Sequence, residues 1–304
     1  MDVDTGGDDA VALLMAGHSA ELDLVGVTVA HGNAELTTTV RNTLAVLEAG
    51  GLAEVPVYAG AERPLEGLRP IPDAVQARRL PLPEPGIGVQ AERAVHYLVE
   101  YYMEGGNETT LVATGPLTNV ATALRKEPSL AGLIPGIVMM GGAYGEGNVT
   151  PSAEFNIYAD PEAARIVFRS GIPITMIGLD VTAQAVIRVG DAERIRQLDT
   201  PASRIAADLM IEEIRWFADN LGSDAGQIYD ACAVAACIEP DVVTTRPMHV
   251  DIELRGELTR GRTVCDASGY HGLAPNAAVG VEIDRDRFLS LMMRSLGGRE
   301  RIPR

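Results

Sequence analysis

Apolar and polar positions along the chain follow two rhythms. Short, nearly continuous apolar runs rich in β-branched residues recur at 24–29, 55–58, 110–113, 137–140, 174–177, 250–254 and 279–283. Such runs suit strands covered on both faces, as in a parallel sheet. Between them lie segments with apolar residues at helical spacing: 10–16, 36–49, 91–102, 120–125, 161–170, 192–198, 201–221, 230–236 and a last one closing at Leu296. Gly50 and Gly51 stop the second, and Pro161 stands where a first helical turn tolerates proline. Strand and helix alternating throughout predict an α/β fold, a single domain over residues 1–304 around a mainly parallel sheet. Residues 63–88 are crowded with prolines and show no period, which predicts an excursion near a site or a subunit contact rather than core. In such sheets ligands bind outside the carboxyl ends of the strands, so the loops that follow strands are the ones to read for chemistry.

The most unusual of these loops opens the chain. Asp2, Asp4, Asp8 and Asp9 fall within a stretch of nine residues, with Gly6 and Gly7 between the two acidic pairs and an apolar helix directly after. A helix start favours negative charge by only about 0.3–1 kcal/mol per carboxylate, too little to hold four together. A cation is therefore expected among them, and hard oxygen donors at this density suit Ca²⁺ or Mg²⁺. A solvated, frayed terminus is the plainer reading, but it has no need of an apolar helix at once behind it. An EF-hand loop counted from Asp2 has its glycine at Gly7 but Leu13 where the bidentate glutamate belongs.

Composition narrows the class further. The 304 residues are 46% hydrophobic, ample for a large core, and the 32 glycines and 18 prolines are scattered as loop punctuation. A formal charge of −17 sets the chain against nucleic acid and anionic membrane as partners. Cys232, Cys237 and Cys265 lack metal-site spacing, and two lie in an apolar helical run, so they read as buried thiols of a reducing compartment. No apolar run approaches a membrane span. Together these point to a cytoplasmic, soluble protein.

Five blocks, in order along nearly the whole chain, carry a resemblance. They are Asp2-Val-Asp-Thr-Gly-Gly-Asp-Asp-Ala10, Thr114-Gly-Pro-Leu-Thr-Asn-Val120, Met140-Gly-Gly-Ala143, the stretch Asn148 to Asp160, and Tyr229-Asp-Ala231. Together they resemble the inosine-uridine preferring nucleoside hydrolases. The resemblance implies Ca²⁺-dependent hydrolysis of a ribonucleoside to base and ribose, in nucleoside salvage, by a homodimer or homotetramer. It implies Ca²⁺ held by Asp4, Asp9, Asp230 and the backbone carbonyl of Thr114, with Asp4 also deprotonating the attacking water. It places Asp8 and Asn33 on one side of the ribose, Asn148, Glu154, Asn156 and Asp230 on the other, and Asp2 behind as an orienting group. The chemistry suits these residue types: a hard cation positions a water and a diol, side-chain amides both donate to and accept from hydroxyls, and the oxocarbenium-like sugar needs rigid holding.

Each of these residues also has a plainer use. Asp230 ahead of an apolar helix is a common cap, Thr114-Gly-Pro is an ordinary post-strand turn, and Glu154 and Asn156 suit a surface loop. Trp216 and Phe217 fit core as well as base stacking. The chain also departs from the family. Tyr229 stands where many members have a histidine taken to protonate the base, residues 80–88 lack the usual histidine, and Thr5 replaces a proline. Only Met1 precedes the first aspartate where members place an apolar strand, so either the terminus lies upstream or the sheet edge is rearranged, with Asp2 and Asp4 poorly anchored. Two other functions stay open: a nucleoside- or ribose-binding module that does not turn over, and a phosphatase of the haloacid dehalogenase type, which also opens Asp-x-Asp but has Thr or Val where Gly6 stands here.

Overall fold

The computed structural model describes residues 1–67 and 79–298. Its elements run β1 (Asp2–Val3), α1 (Gly7–His18), β2 (Val27–Val29), α2 (Leu36–Ala49), β3 (Val57–Ala59), α3 (Ala94–Met103), β4 (Leu111–Ala113), α4 (Thr118–Lys126) and β5 (Ile137–Met140). They continue with α5 (Phe155–Ala159), α6 (Pro161–Phe168), β6 (Ile174–Ile177), α7 (Leu179–Thr182), β7 (Val186–Ile187), α8 (Val189–Arg196), α9 (Pro201–Leu221) and β8 (Gly226–Gln227). Last come α10 (Tyr229–Ile238), β9 (Val243–Ile252), β10 (Thr263–Asp266), β11 (Ala277–Ile283) and α11 (Arg285–Leu296).

Nine strands form one sheet in the order β10-β9-β11-β6-β5-β4-β1-β2-β3, while β7 and β8 pair separately. Pairing is parallel from β3 across to β11, and antiparallel at the β11–β9 and β9–β10 edge. The mainly parallel α/β architecture read from the sequence is therefore present. The β2 and β3 strands succeed β1 on one side and β4 lies on its other side, so the strand order reverses between β1 and β4. That is where an open α/β sheet leaves a crevice at its carboxyl edge.

One expectation is corrected here. The first strand is neither at a rearranged edge nor poorly anchored: β1 lies inside the sheet, with Asp2 opposite Thr28 on β2 and Ala113 on β4. Asp2, Val3 and Asp4 are fully buried. Neighbouring strands hold it on both sides.

The core has two halves. Apolar residues of α1, α2, α8, α9, α10 and α11 cover one part of the sheet, and those of α3, α4 and α6 cover another. Helix α1 is buried from Asp9 to Gly17, which explains why its sequence is apolar all round. Of the proline-rich stretch, residues 68–78 lie outside the described residues. Its described ends carry neither helix nor strand; Arg41 on α2 donates to the carbonyls of Leu80 (2.9 Å), Leu82 and Pro83, and Gly86 N donates to Glu48 Oε2 at 2.7 Å. Among the described residues, no helix is long and apolar enough to cross a membrane.

Candidate active site

The sequence places its acids where two strand ends and two helix starts meet. Asp4 follows β1, Thr114 follows β4, Asp8 and Asp9 occupy the first turn of α1, and Asp230 that of α10. The N-cap of α10 is Ile228, with no side-chain cap bond. Asp230 is thus not a cap; its carboxyl lies against those of Asp8 and Asp9 instead. Oxygens of Asp8, Asp9 and Asp230 all lie within 4.8 Å of one another. Carboxylates that close need a proton or a cation between them.

Asp4 stands just outside that trio. Its Oδ2 accepts from the Asn33 backbone N–H at 2.6 Å, whereas Oδ1 is buried without a partner among the described residues. Asp9 is tied at both oxygens, by Thr114 Oγ1 at 2.7 Å to Oδ1, and by Gly6 N at 3.1 Å and Asn33 Nδ2 at 3.4 Å to Oδ2. Asp2 sits behind: Thr28 Oγ1 (2.6 Å) and Asn119 Nδ2 (2.8 Å) donate to its Oδ1, and its Oδ2 has no partner among the described residues. Burial raises all these acids. Asp2 reaches about 6 and Asp9 about 7, the latter also lifted by the charge of Asp8. Asp4 and Asp230 are pushed well above the usual carboxylate range by burial and by Asp9 and Asp8 respectively. An orphaned buried oxygen beside a tight carboxylate trio, with oxygen donors throughout, fits a hard divalent cation.

A cleft of roughly 240 Å³ opens over this cluster. Asp8, Asn33, Thr114, Asn148, Glu154, Asn156, Tyr229 and Asp230 all line it, so the structure brings together the residues singled out in the sequence, with Asp4, Asp9 and Asp2 beneath. Glu154 caps α5 and accepts from three backbone N–H groups: Asn156 (2.8 Å), Gly142 (2.7 Å) and Ile157 (3.2 Å). Burial still raises it to about 7. Asn156 Nδ2 donates to the carbonyls of Thr114 (2.7 Å) and Met140 (3.1 Å), locking the ends of β4 and β5 and leaving its Oδ1 for other work. Asn148 Oδ1 accepts from Phe155 N at 3.0 Å. None of the described residues of the proline-rich stretch lines the cleft.

Sequence reasoning missed Glu213, which with Trp216 forms the wall contributed by α9. The signal is faint but readable: Met210, Ile214 and Phe217 mark the buried stripe of α9, and Glu213 sits beside it at helical spacing. Trp216 and Phe217 divide, Phe217 into the core and Trp216 onto the cleft. Burial, then the charge of Asp8, pushes Glu213 up to about 8. Burial, then the Glu213 charge, also raises the Tyr229 hydroxyl.

Comparison with known proteins identifies the family of the chain. Residues 1–290 match the inosine-uridine preferring nucleoside hydrolase family. The chain is 40% identical over 303 residues to a pyrimidine-specific ribonucleoside hydrolase, RihB, of Escherichia coli strain SE11, covering 98% of this chain and 96% of the relative. Among solved structures it resembles a purine-preferring ribonucleoside hydrolase from Gardnerella vaginalis (TM-score 0.90, 34% identity, 98% and 97% of the two chains). It also resembles a plant nucleoside hydrolase, PpNRh1 (TM-score 0.89, 30% identity, 98% of each chain).

Proposed function

Because the chain belongs to the inosine-uridine preferring nucleoside hydrolase family, we propose that it hydrolyses the N-glycosidic bond of ribonucleosides, giving free base and ribose, with Asp4 as the base that activates water. The observation that carries this reading is the half-free Asp4. One oxygen is fixed by Asn33 N, and the other is buried beside the cleft's acids with no partner among the described residues. A general base needs that arrangement, an oriented carboxylate with a lone pair to spare.

The carboxylates of Asp4, Asp9 and Asp230 and the carbonyl of Thr114 would hold Ca²⁺. The chemistry such an ion supplies when bound is Lewis-acid polarisation of the oxygens held against it. The remaining steps belong to side chains. Asp8 and Asn33 on one side, with Asn148, Glu154, Asn156 and Asp230 on the other, grip the ribose hydroxyls. Asp4 takes the proton of the water as its oxygen bonds to the anomeric carbon, and Asp2 stiffens the floor through Thr28 and Asn119. A site built to pair hydroxyls rejects a sugar lacking one, since its own polar groups are left unpaired. Ribonucleosides are therefore cleaved and 2′-deoxyribonucleosides are poor substrates.

The named relatives differ in base preference, one pyrimidine-specific and one purine-preferring, so similarity does not choose a base. The proposal includes a homodimer or homotetramer, supported by the exposed Leu258, Tyr270 and Leu273 near the β9–β10 edge, and a role in cytoplasmic nucleoside salvage, supported by three free thiols. Light scattering tests the former. The decisive assay is a nucleoside panel with reducing-sugar detection, before and after chelation and Ca²⁺ return. Ribose release that chelator abolishes and Ca²⁺ restores is expected. Binding without release would favour the non-catalytic module. Phosphatase chemistry, the other reading of Asp-x-Asp, is set aside by the family match.

A further inference from the structure

We propose that Glu213 is the acid that protonates the departing base, an inference that rests on the nucleoside-hydrolase reading above. When the bond between the base nitrogen and the anomeric carbon breaks, its electron pair leaves with the base, and a proton delivered there lowers the barrier. The carboxylate cluster and ribose-gripping residues share the cleft with a wall made by Glu213 and Trp216 of α9 and by Tyr229 at the start of α10. A base attached to a sugar held over the cluster meets that wall.

Glu213 and Trp216 are one helical turn apart on the same face of α9, a carboxyl beside an aromatic plane on which a base can stack. No hydrogen bond or ion pair with another described residue engages the Glu213 carboxyl. Glu213 is half-buried and its carboxyl lines the cleft, so it is free to meet a ligand there. The ionisable groups around it are Asp8 from α1, Tyr229 and Asp230 from α10, and Glu154 ahead of α5; among the described residues no Lys, Arg or His lines the cleft. Burial favours the neutral, proton-carrying form, and in the cation-free protein burial and the Asp8 charge together raise it to about 8. Tyr229, a phenol with an ordinary value of about 10, is intrinsically the weaker acid.

The balance closes. The Glu213 proton passes to the base nitrogen as that nitrogen takes the bonding pair; the water oxygen bonds to the anomeric carbon and its proton passes to Asp4; Asp4 then releases one proton to solvent and Glu213 regains one. One water is consumed.

The test compares a nucleoside with a 4-nitrophenyl riboside, whose phenolate leaves without protonation. Glu213→Gln keeps the size and a hydrogen-bond donor but has no proton to give. In this variant kcat on uridine and inosine is expected to fall about 10²-fold or more, cleavage of the nitrophenyl riboside to stay within a few-fold, and Glu213→Asp to recover part of the loss. Equal losses on both substrate types, or none on nucleosides, would overturn the assignment. If the unaltered protein cleaves the nitrophenyl riboside and both nucleosides, the hydrolase reading stands whatever Glu213→Gln does; if it cleaves none, both proposals fall.

Discussion

Asp4 illustrates how much of the site rests on single atoms. Its Oδ2 needs only an acceptor for Asn33 N, which an amide oxygen supplies as well, whereas its Oδ1 needs a basic lone pair. Asp4→Asn is therefore expected to fold and melt much like the parent while kcat on ribonucleosides drops about 10²–10⁴-fold, the usual worth of a positioned base. Backbone close to this oxygen matters too. A methyl group at Gly115 would lie 2.8 Å from Asp4 Oδ1, nearer than carbon and oxygen normally approach, so the carboxylate must move. Gly115→Ala is expected to lose kcat at near-normal thermal stability, and steady-state kinetics beside a melting curve would show it. At this scale the sequence was readable where acids crowd together. Asp2, Asp4, Asp8 and Asp9 announce themselves by mutual repulsion, while Glu213 is one acid on a long helix and becomes conspicuous only once α9 is seen to wall a cleft.

Helices and strands differed in legibility for reasons of length. Helices α2, α9 and α11 end where caps and breakers say they should: Thr200 caps α9 through Ser203 N at 2.9 Å with Pro201 in its first turn, and Asp284 caps α11 through Arg287 N at 3.1 Å. Elements of two to five residues, α5, α7, β7, β8 and β10, are too short to display a period and were missed. Strand β1 shows what replaces length. Asn119 on α4 donates to Asp2 Oδ1 and accepts from Ala61 N at 2.8 Å, stitching β1 to α4 and to the loop after β3. Asn119→Leu would orphan Ala61 N and strip Asp2 of a donor, each worth roughly 1–3 kcal/mol when buried. The expected result is a melting temperature lower by several degrees, read by calorimetry, with weakened cation binding because the floor under Asp4 and Asp9 loosens. A variant that melts like the parent would show that the sheet alone holds β1.

The fold gathers buried carboxyl groups at the crevice where its strand order reverses between β1 and β4. Alternating runs made the parallel α/β class legible, but the reversal between β1 and β4 and the antiparallel β9–β10 edge depend on pairings between distant segments, which no local pattern encodes. The consequence is a pH dependence whose sign can be worked out. Asp2 rises to about 6, and Asp9 and Glu154 to about 7, against roughly 4 for carboxyls in an unfolded chain. Between those values the folded, cation-free protein binds more protons than the unfolded one. The stabilising contribution of the protonated acids is thus full below about pH 4 and lost as the pH climbs through about 7. A bound cation acts oppositely, since it takes only the deprotonated carboxylates and stabilises more as they become available. The upward shift in melting temperature produced by Ca²⁺ over chelator should accordingly be small near pH 5 and grow steeply to about pH 8. Mg²⁺ is expected to shift it less, because this donor set is all protein oxygen and Mg²⁺ gives up its waters reluctantly. A Ca²⁺ shift of equal size at both pH values would mean that the ion binds somewhere other than among these acids.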